Sequence, residues 1–320
     1  MKAAVYYETG APDVLRYEDV PDPVPGPGDV LIDVEAISIE GGDTLNRAGG
    51  EMPATPHVVG YQCAGTIVEV GSGVTDREPG QRVVATMPWG SHAELAVTPA
   101  LVTWVVPEGA DLVKAACVPV AFGTAHDCLF EFGRLQAGET VLVQAAAGGV
   151  GVALVQLAKR AGARVLGTAS SLARLDAVRA LGLDAGIDYS GDGWVERVRE
   201  QTDGRGADLV VDSVGGDTLQ GSLACLAYRG RCITVGNAGR DPKRLDVSSL
   251  GAGNQSLTGV FLGAEIATPR ARQMIADLVD DVAAGRLDVV VDRTWPLAQA
   301  AAAHAYIESR QAVGRVVLTP

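Results

Sequence analysis

From Met1 to about residue 106 the apolar positions come in short alternating runs. They include "AAVYY", "DVLIDVEAI", "AGTIVEVG", "RVVATM" and "HAELAV", each bounded by Gly or Pro. A period of two turns one side of each run toward a core, so this half predicts a mostly antiparallel barrel or sandwich. "VPDPVPGPGDV" at 20–30 carries too many prolines for a ladder and predicts a stiff polyproline-like loop.

After Pro107 the spacing turns helical in "DLVKAACVPVAFGTAHDCLFEF", and from Val141 strands and helices alternate. Strands are predicted near 141–144, 164–168, 186–188, 208–212, 231–236 and 257–262. Helices are predicted near 150–161, 171–181, 192–201 and 216–226. Such alternation makes an α/β domain, a doubly wound parallel sheet with helices on both faces. Helical patterns at 270–284 and 297–309 follow, and the strand "GRVVL" (314–318) is expected to return to the first half.

One turn carries candidate chemistry. Between the apolar run "VLVQ" and the amphipathic "VGVALVQLAKRAG" lies Ala146-x-Gly148-x-x-Gly151, a dinucleotide-binding spacing with its first glycine replaced. Gly148 allows close approach to a pyrophosphate and Gly151 allows the helix to pack on the strand. The backbone of Ala147, Gly148, Gly149 and Val150 then faces the phosphates at a helix N-terminus. A cofactor with a free ribose 2′-hydroxyl wants a carboxylate about twenty residues on. Here the sequence reads "GTASSLAR": Ser170, Ser171 and Arg174 suit a 2′-phosphate, and Asp176 lies further into the helix. The expected cofactor is NADP(H).

Length and charge narrow the rest. The 320 residues suit two domains, and the net charge of −13 disfavours a nucleic-acid partner. No apolar run reaches bilayer length, and "MKAAVYYETG" is not a leader pattern, so a cytoplasmic location without a membrane partner is expected. The five cysteines, 63, 117, 128, 225 and 232, form no C-x-x-C pair and predict buried thiols.

"AAAGGVG", "GTASS", "GRGADLVVDSVGG", "GRCITVGN", "VLIDVEAISIEGGDTLNRAGG" and "VVGYQCAGTIVEVGSGV" together resemble the medium-chain dehydrogenase/reductase superfamily over nearly the whole chain. The branch most resembled is the zinc-independent NADPH:quinone oxidoreductases, similar to zeta-crystallin. The resemblance implies a GroES-like β-barrel domain (1–118 and 263–320), a Rossmann NADP(H)-binding domain (119–262), a cleft between them and a homodimer.

The same resemblance assigns roles. Zinc-dependent members hold their metal with two Cys and one His, and Glu40, Tyr61 and Val120 stand at or near those positions, so no metal is expected. Glu40 also replaces the usual asparagine of the quinone reductases, while Asp43 and Arg47 are kept. Tyr61 becomes the candidate proton donor or a wall of the cleft. Glu40 becomes a candidate to relay a proton or hold the nicotinamide ribose. Cofactor contacts are implied at Thr124, Tyr189, Ser213, Val214, Gly236, Asn237 and the backbone of Val260, Phe261 and Leu262. Of the histidines, His92 and His126 come nearest the cleft, each also readable as a packing or surface residue.

Without a metal the cofactor carries the reaction by hydride transfer. The activity implied is reduction of a small quinone or α,β-unsaturated carbonyl by NADPH. Enoyl-thioester reduction, and cofactor binding with little turnover as in a crystallin, are the alternatives.

Overall fold

The strand Asp29–Ser38 is buried along most of its length, with Asp33 and Glu35 turned outward. In the computed structural model, which describes residues 1–242 and 244–320, three strands pair with it antiparallel. They are Gln62–Val70, Leu95–Pro99 and Arg315–Thr319. The main path of this sheet runs Val291–Pro296, Arg315–Thr319, Asp29–Ser38, Gln62–Val70, Arg82–Thr86, Thr103–Val105. A smaller sheet joins Arg16–Asp19, Lys2–Tyr6 and His57–Val58. Ile32, Ile37, Ile67 and Val83 meet Tyr6, Val316 and Leu318 in one sealed core. These strands belong to a unit built from Met1–Val120 and Glu265–Pro320.

Three elements of this unit depart from the sequence reading. "GGDTLNRAG" forms the helix Gly41–Gly49, although glycines flank it and no apolar stripe marks it. Its start is fixed by a cap, the Asp43 carboxylate accepting from the Glu40 backbone N–H at 2.8 Å. Val291–Pro296 is an edge strand with little burial, so it carries no alternating pattern to be seen. The helix predicted from 297 begins at Ala300, after a short 3-10 turn at Leu297–Gln299.

Ala121–Ala264 forms the second unit. Its six strands run in the order Ala185–Asp188, Arg164–Ala169, Thr140–Val143, Ala207–Asp212, Leu226–Thr234, Ser256–Gly259. All five pairings are parallel. The order reverses at Thr140–Val143, whose carboxyl end is therefore the topological switch point where ligands bind in such sheets. That strand is wholly buried, as a sheet covered on both faces requires. The helices Gly149–Arg160, Leu172–Arg179, Trp194–Gln201 and Gly216–Ala224 supply the crossovers. Among the described residues, no helix is long and apolar enough to cross a membrane.

Candidate active site

The turn after Thr140–Val143 explains its own odd residue. Ala146 is sealed, and it stands opposite Gly167 of the neighbouring strand: a β-carbon at Gly167 would lie 2.6 Å from the Ala146 side chain. The methyl group that a glycine would omit is thus accommodated across the sheet. Ala145 takes the left-handed conformation, with φ at 52°. Its carbonyl then lies where a β-carbon on Gly151 would meet it at 2.3 Å, so residue 151 must be glycine for helix and turn to touch. The N-cap of Gly149–Arg160 is Gly148, with no side-chain hydrogen bond there, and the first-turn N–H groups remain available to an anion.

A buried network braces this turn. Ala146 N–H donates to the Thr168 carbonyl at 2.8 Å. Thr168 donates its hydroxyl to Gln144, which donates to Ser222 at 2.9 Å, which donates to Asp212 at 2.7 Å. The other Asp212 oxygen accepts from the N–H groups of Val214 and Gly215, both at 2.8 Å. Burial pushes the Asp212 carboxyl above the usual carboxylate range. The carboxyl ends of three adjacent strands are tied together in this way. Sequence reasoning missed Gln144, Thr168 and Ser222, whose bonds join residues far apart in the chain.

The structure brings several predicted cofactor residues to that edge. Ser170 is exposed at the end of Arg164–Ala169, and Ser171 caps the next helix by accepting from the Arg174 N–H at 3.4 Å. Tyr189 lies beside them, its N–H donating to the Ala169 carbonyl at 3.0 Å. Ser213 and Val214 follow Asp212, and their carbonyls accept from Ala238 and Gly239 across from exposed Gly236 and Asn237. Val260 N–H donates to the Thr234 carbonyl, Phe261 is 75% exposed, and Leu262 is buried. Thr124 is buried in the helix Val118–His126.

Tyr61 and Glu40 lie in the other unit and are brought together there. Gly42, in the first turn of Gly41–Gly49, leaves room for the phenol: a β-carbon on it would come within 2.5 Å of Tyr61 Oη. Burial, and then the charges of Asp43 and Glu40, hold the Tyr61 phenol well above its ordinary range, while Arg315 and the Gly42 N–H act the other way. Tyr61 is therefore a protonated phenol at neutral pH, a donor and not a base.

Glu40 is buried and caps the same helix. Its carboxylate is ion-paired with Arg315 and accepts from Gln62 and Ser38. Gln62 in turn accepts from the Val120 N–H at 3.1 Å. Burial raises the Glu40 carboxyl and Arg315 opposes that rise; since a guanidinium stays charged, the pair is ionic. Arg315 also donates to Ser38 at 3.1 Å and to the Ile39 carbonyl at 2.9 Å. The sequence reading overlooked Arg315, and its one signal was a charge opening the apolar strand "RVVLT".

A second buried polar cluster lies in this unit. His92 and His304 approach at 3.1 Å through their Nε2 atoms, and Arg47 Nε donates to His304 Nδ1 at 3.3 Å. Arg47 is ion-paired with Glu308. His304 accepts at Nδ1, so its proton sits on Nε2 and is donated to His92, whose own proton is then on Nδ1. Burial pushes His92 down to about 3; burial, His92 and Arg47 push His304 well below its usual range. Both rings are neutral.

Of the three residues that the resemblance sets at or near zinc-ligand positions, Glu40 is committed to a guanidinium, Tyr61 is a phenol and Val120 has no side-chain donor. That set does not fit zinc. Among the described residues, no three His, Cys, Asp or Glu side chains gather to hold a metal ion.

Residues 26–108 match the family described as the alcohol dehydrogenase GroES-like domain, and residues 149–281 the one described as zinc-binding dehydrogenase. The chain is 39% identical to a 2-haloacrylate reductase of Burkholderia sp., over 99% of this chain and 98% of that one. It is 36% identical to the quinone oxidoreductase of Pseudomonas aeruginosa, over 97% of each. A solved mycobacterial structure described as complexed with NADPH covers all of both chains at 38% identity and a TM-score of 0.95. This chain belongs to the medium-chain dehydrogenase/reductase superfamily, with quinone oxidoreductases and a haloacrylate reductase among its relatives.

Proposed function

We propose that this protein is an NADPH-dependent, zinc-independent oxidoreductase that reduces quinones or α,β-unsaturated carbonyl compounds. The observation that carries the reading is the turn 145–151 with its rim. The backbone of Ala147 to Val150 would hold the pyrophosphate at the start of the helix Gly149–Arg160. Ser170, Ser171 and Arg174 would hold the 2′-phosphate, with Tyr189 against the adenosine side. Thr124, Ser213, Val214, Gly236, Asn237 and the backbone 260–262 would line the nicotinamide half. The cofactor supplies hydride when bound. Tyr61, a protonated phenol at neutral pH, supplies a proton to an enolate left by an unsaturated carbonyl.

The same reading makes the chain a cytoplasmic homodimer. Five buried, unpaired cysteines support a reducing compartment. The outer strand Ser256–Gly259, open on one side, supports pairing with a second copy.

Steady-state NADPH oxidation with a quinone, an enone and an enoyl-CoA ester tests the assignment. Turnover of quinone or enone is expected. Turnover of the thioester alone would move the reading to an enoyl-thioester reductase, and tight NADPH binding with no turnover on any acceptor would make it a binding protein.

A further inference from the structure

Glu40, Tyr61 and Arg315 come from three separate segments: an ion pair joins Glu40 to Arg315, and the helix that Glu40 caps packs on Tyr61. Glu40 caps Gly41–Gly49, the second residue of that helix has no room for a side chain beside Tyr61 Oη, and Gln62, next to Tyr61, donates to Glu40. Arg315 closes the set from the strand Arg315–Thr319 by ion-pairing with Glu40 and bonding Ser38 and Ile39. The guanidinium and the carboxylate are both buried, so water screens neither of them from the phenol.

We propose that Arg315 is a positioning residue of the reaction: paired with Glu40, it offsets the carboxylate beside Tyr61 and steadies the phenolate that Tyr61 becomes when it gives up its proton. This rests on Tyr61 as the proton donor. Once an enone has accepted hydride, its enolate carries one negative charge. The Tyr61 O–H bond breaks, a C–H bond forms at the substrate α-carbon, and the O–H electron pair remains on the phenolate oxygen. Water returns the proton afterwards, so that substrate, NADPH and one proton give product and NADP+.

The charges that act on that oxygen are Asp43 and Glu40 from the start of the helix, which disfavour a phenolate, and Arg315 from the C-terminal strand, which favours one. Cys117, packed near Arg315, is held as a neutral thiol by burial. Arg315 is the cation among them. With it gone, a phenolate would form against an uncompensated carboxylate; with Glu40 neutralised, it would form beside an uncompensated cation. Glu40 on this account meets Arg315 and not the substrate.

The test needs neither cofactor nor substrate. Tyr61→3,5-difluorotyrosine brings the phenol into a titratable range, and 19F NMR reads its ionisation midpoint. Adding Glu40→Gln should lower that midpoint by about 1 pH unit, adding Arg315→Met should raise it by about 1, and the double change should fall between. Should Arg315→Met fail to fold, Glu40→Gln and the double variant, which leaves no unpaired buried charge, answer the same question. Midpoints that stay together while only the melting temperature falls would reduce the pair to a brace and overturn the proposal. Loss of enone turnover in Tyr61→Phe tests the proton donor separately, so a failure of that reading can be told from a failure of the Arg315 proposal.

Discussion

Gly167, in the strand Arg164–Ala169, and Ala146, in the turn after the adjacent strand, share a single methyl group's worth of space, with 2.6 Å between the Ala146 side chain and any β-carbon placed on residue 167. The missing glycine of the dinucleotide turn has moved one strand sideways. Gly167→Ala should therefore destabilise the protein by about 1–3 kcal/mol through overpacking. Adding Ala146→Gly should restore part of that loss, the remainder coming from Leu183, which the new methyl group would approach at 2.7 Å. Urea unfolding of both single variants and the pair measures it; additive losses would show that the two sites do not share the space.

Arg174 is the proposed determinant of cofactor choice. NADPH should bind at least tenfold more tightly than NADH, a difference of roughly 1.4 kcal/mol or more. Arg174→Ala should weaken NADPH and spare NADH. Fluorescence titration with both cofactors checks this, and equal affinities in the unaltered protein would remove the case for a 2′-phosphate site.

Tyr61→Phe separates two kinds of acceptor. Enone reduction should slow by roughly 10²–10⁴-fold, the range of a lost general acid. Quinone reduction should change far less, since a hydroquinone anion is stable enough for water to protonate. The comparison is kcat/KM on one quinone and one enone. Equal small losses would make Tyr61 a wall of the site.

The paired imidazoles give a pH-dependent stability. His92 and His304 bind protons more weakly folded than unfolded, so the unfolded chain takes up more protons as pH falls below about 6.5. Their contribution is thus fully present above that pH and is lost on acidification toward 3, each ring adding up to about 1.4 kcal/mol per pH unit. Buried carboxyls with raised values, Asp43 and Asp212, act in the opposite sense. The clean measurement is therefore a difference: His92→Gln should show a shallower stability slope than the unaltered protein, by about half a proton at pH 6.5 and close to one proton at pH 5.

How much of this could be read from residues alone depended on range. The turn 146–151 and the alternation around it were legible because a strand, a glycine spacing and a helix lie within twenty residues. The helix Gly41–Gly49 was not, since its stability comes from a cap and from burial of Asp43, Thr44 and Arg47 without an apolar stripe. Tyr61 could be singled out by its place in a family motif. Arg315 could not: nothing in "GRVVL" says which strand it will pair with, and a contact across that separation leaves no local pattern. Glu40 was visible as an unusual residue, but its partner, and so its role, was not. The histidine pair was hidden for the same reason, with His304 giving no sign of facing His92.

The C-terminal strand also sets an order of events during synthesis. Glu40 is separated from its counter-ion by 275 residues. At about 5–20 residues per second, the ribosome needs roughly 14–55 s to deliver Arg315 after Glu40 has been made. Through that interval the segment around Tyr61 carries a carboxylate that cannot be buried without protonation. The stretch 121–264 is continuous and has all its strands while residue 315 is still to come. A chain cut short by stalled translation would lack the counter-ion of Glu40, and the Ile37–Ser38 end of the strand Asp29–Ser38 would lack the pairing that Arg315–Thr319 supplies.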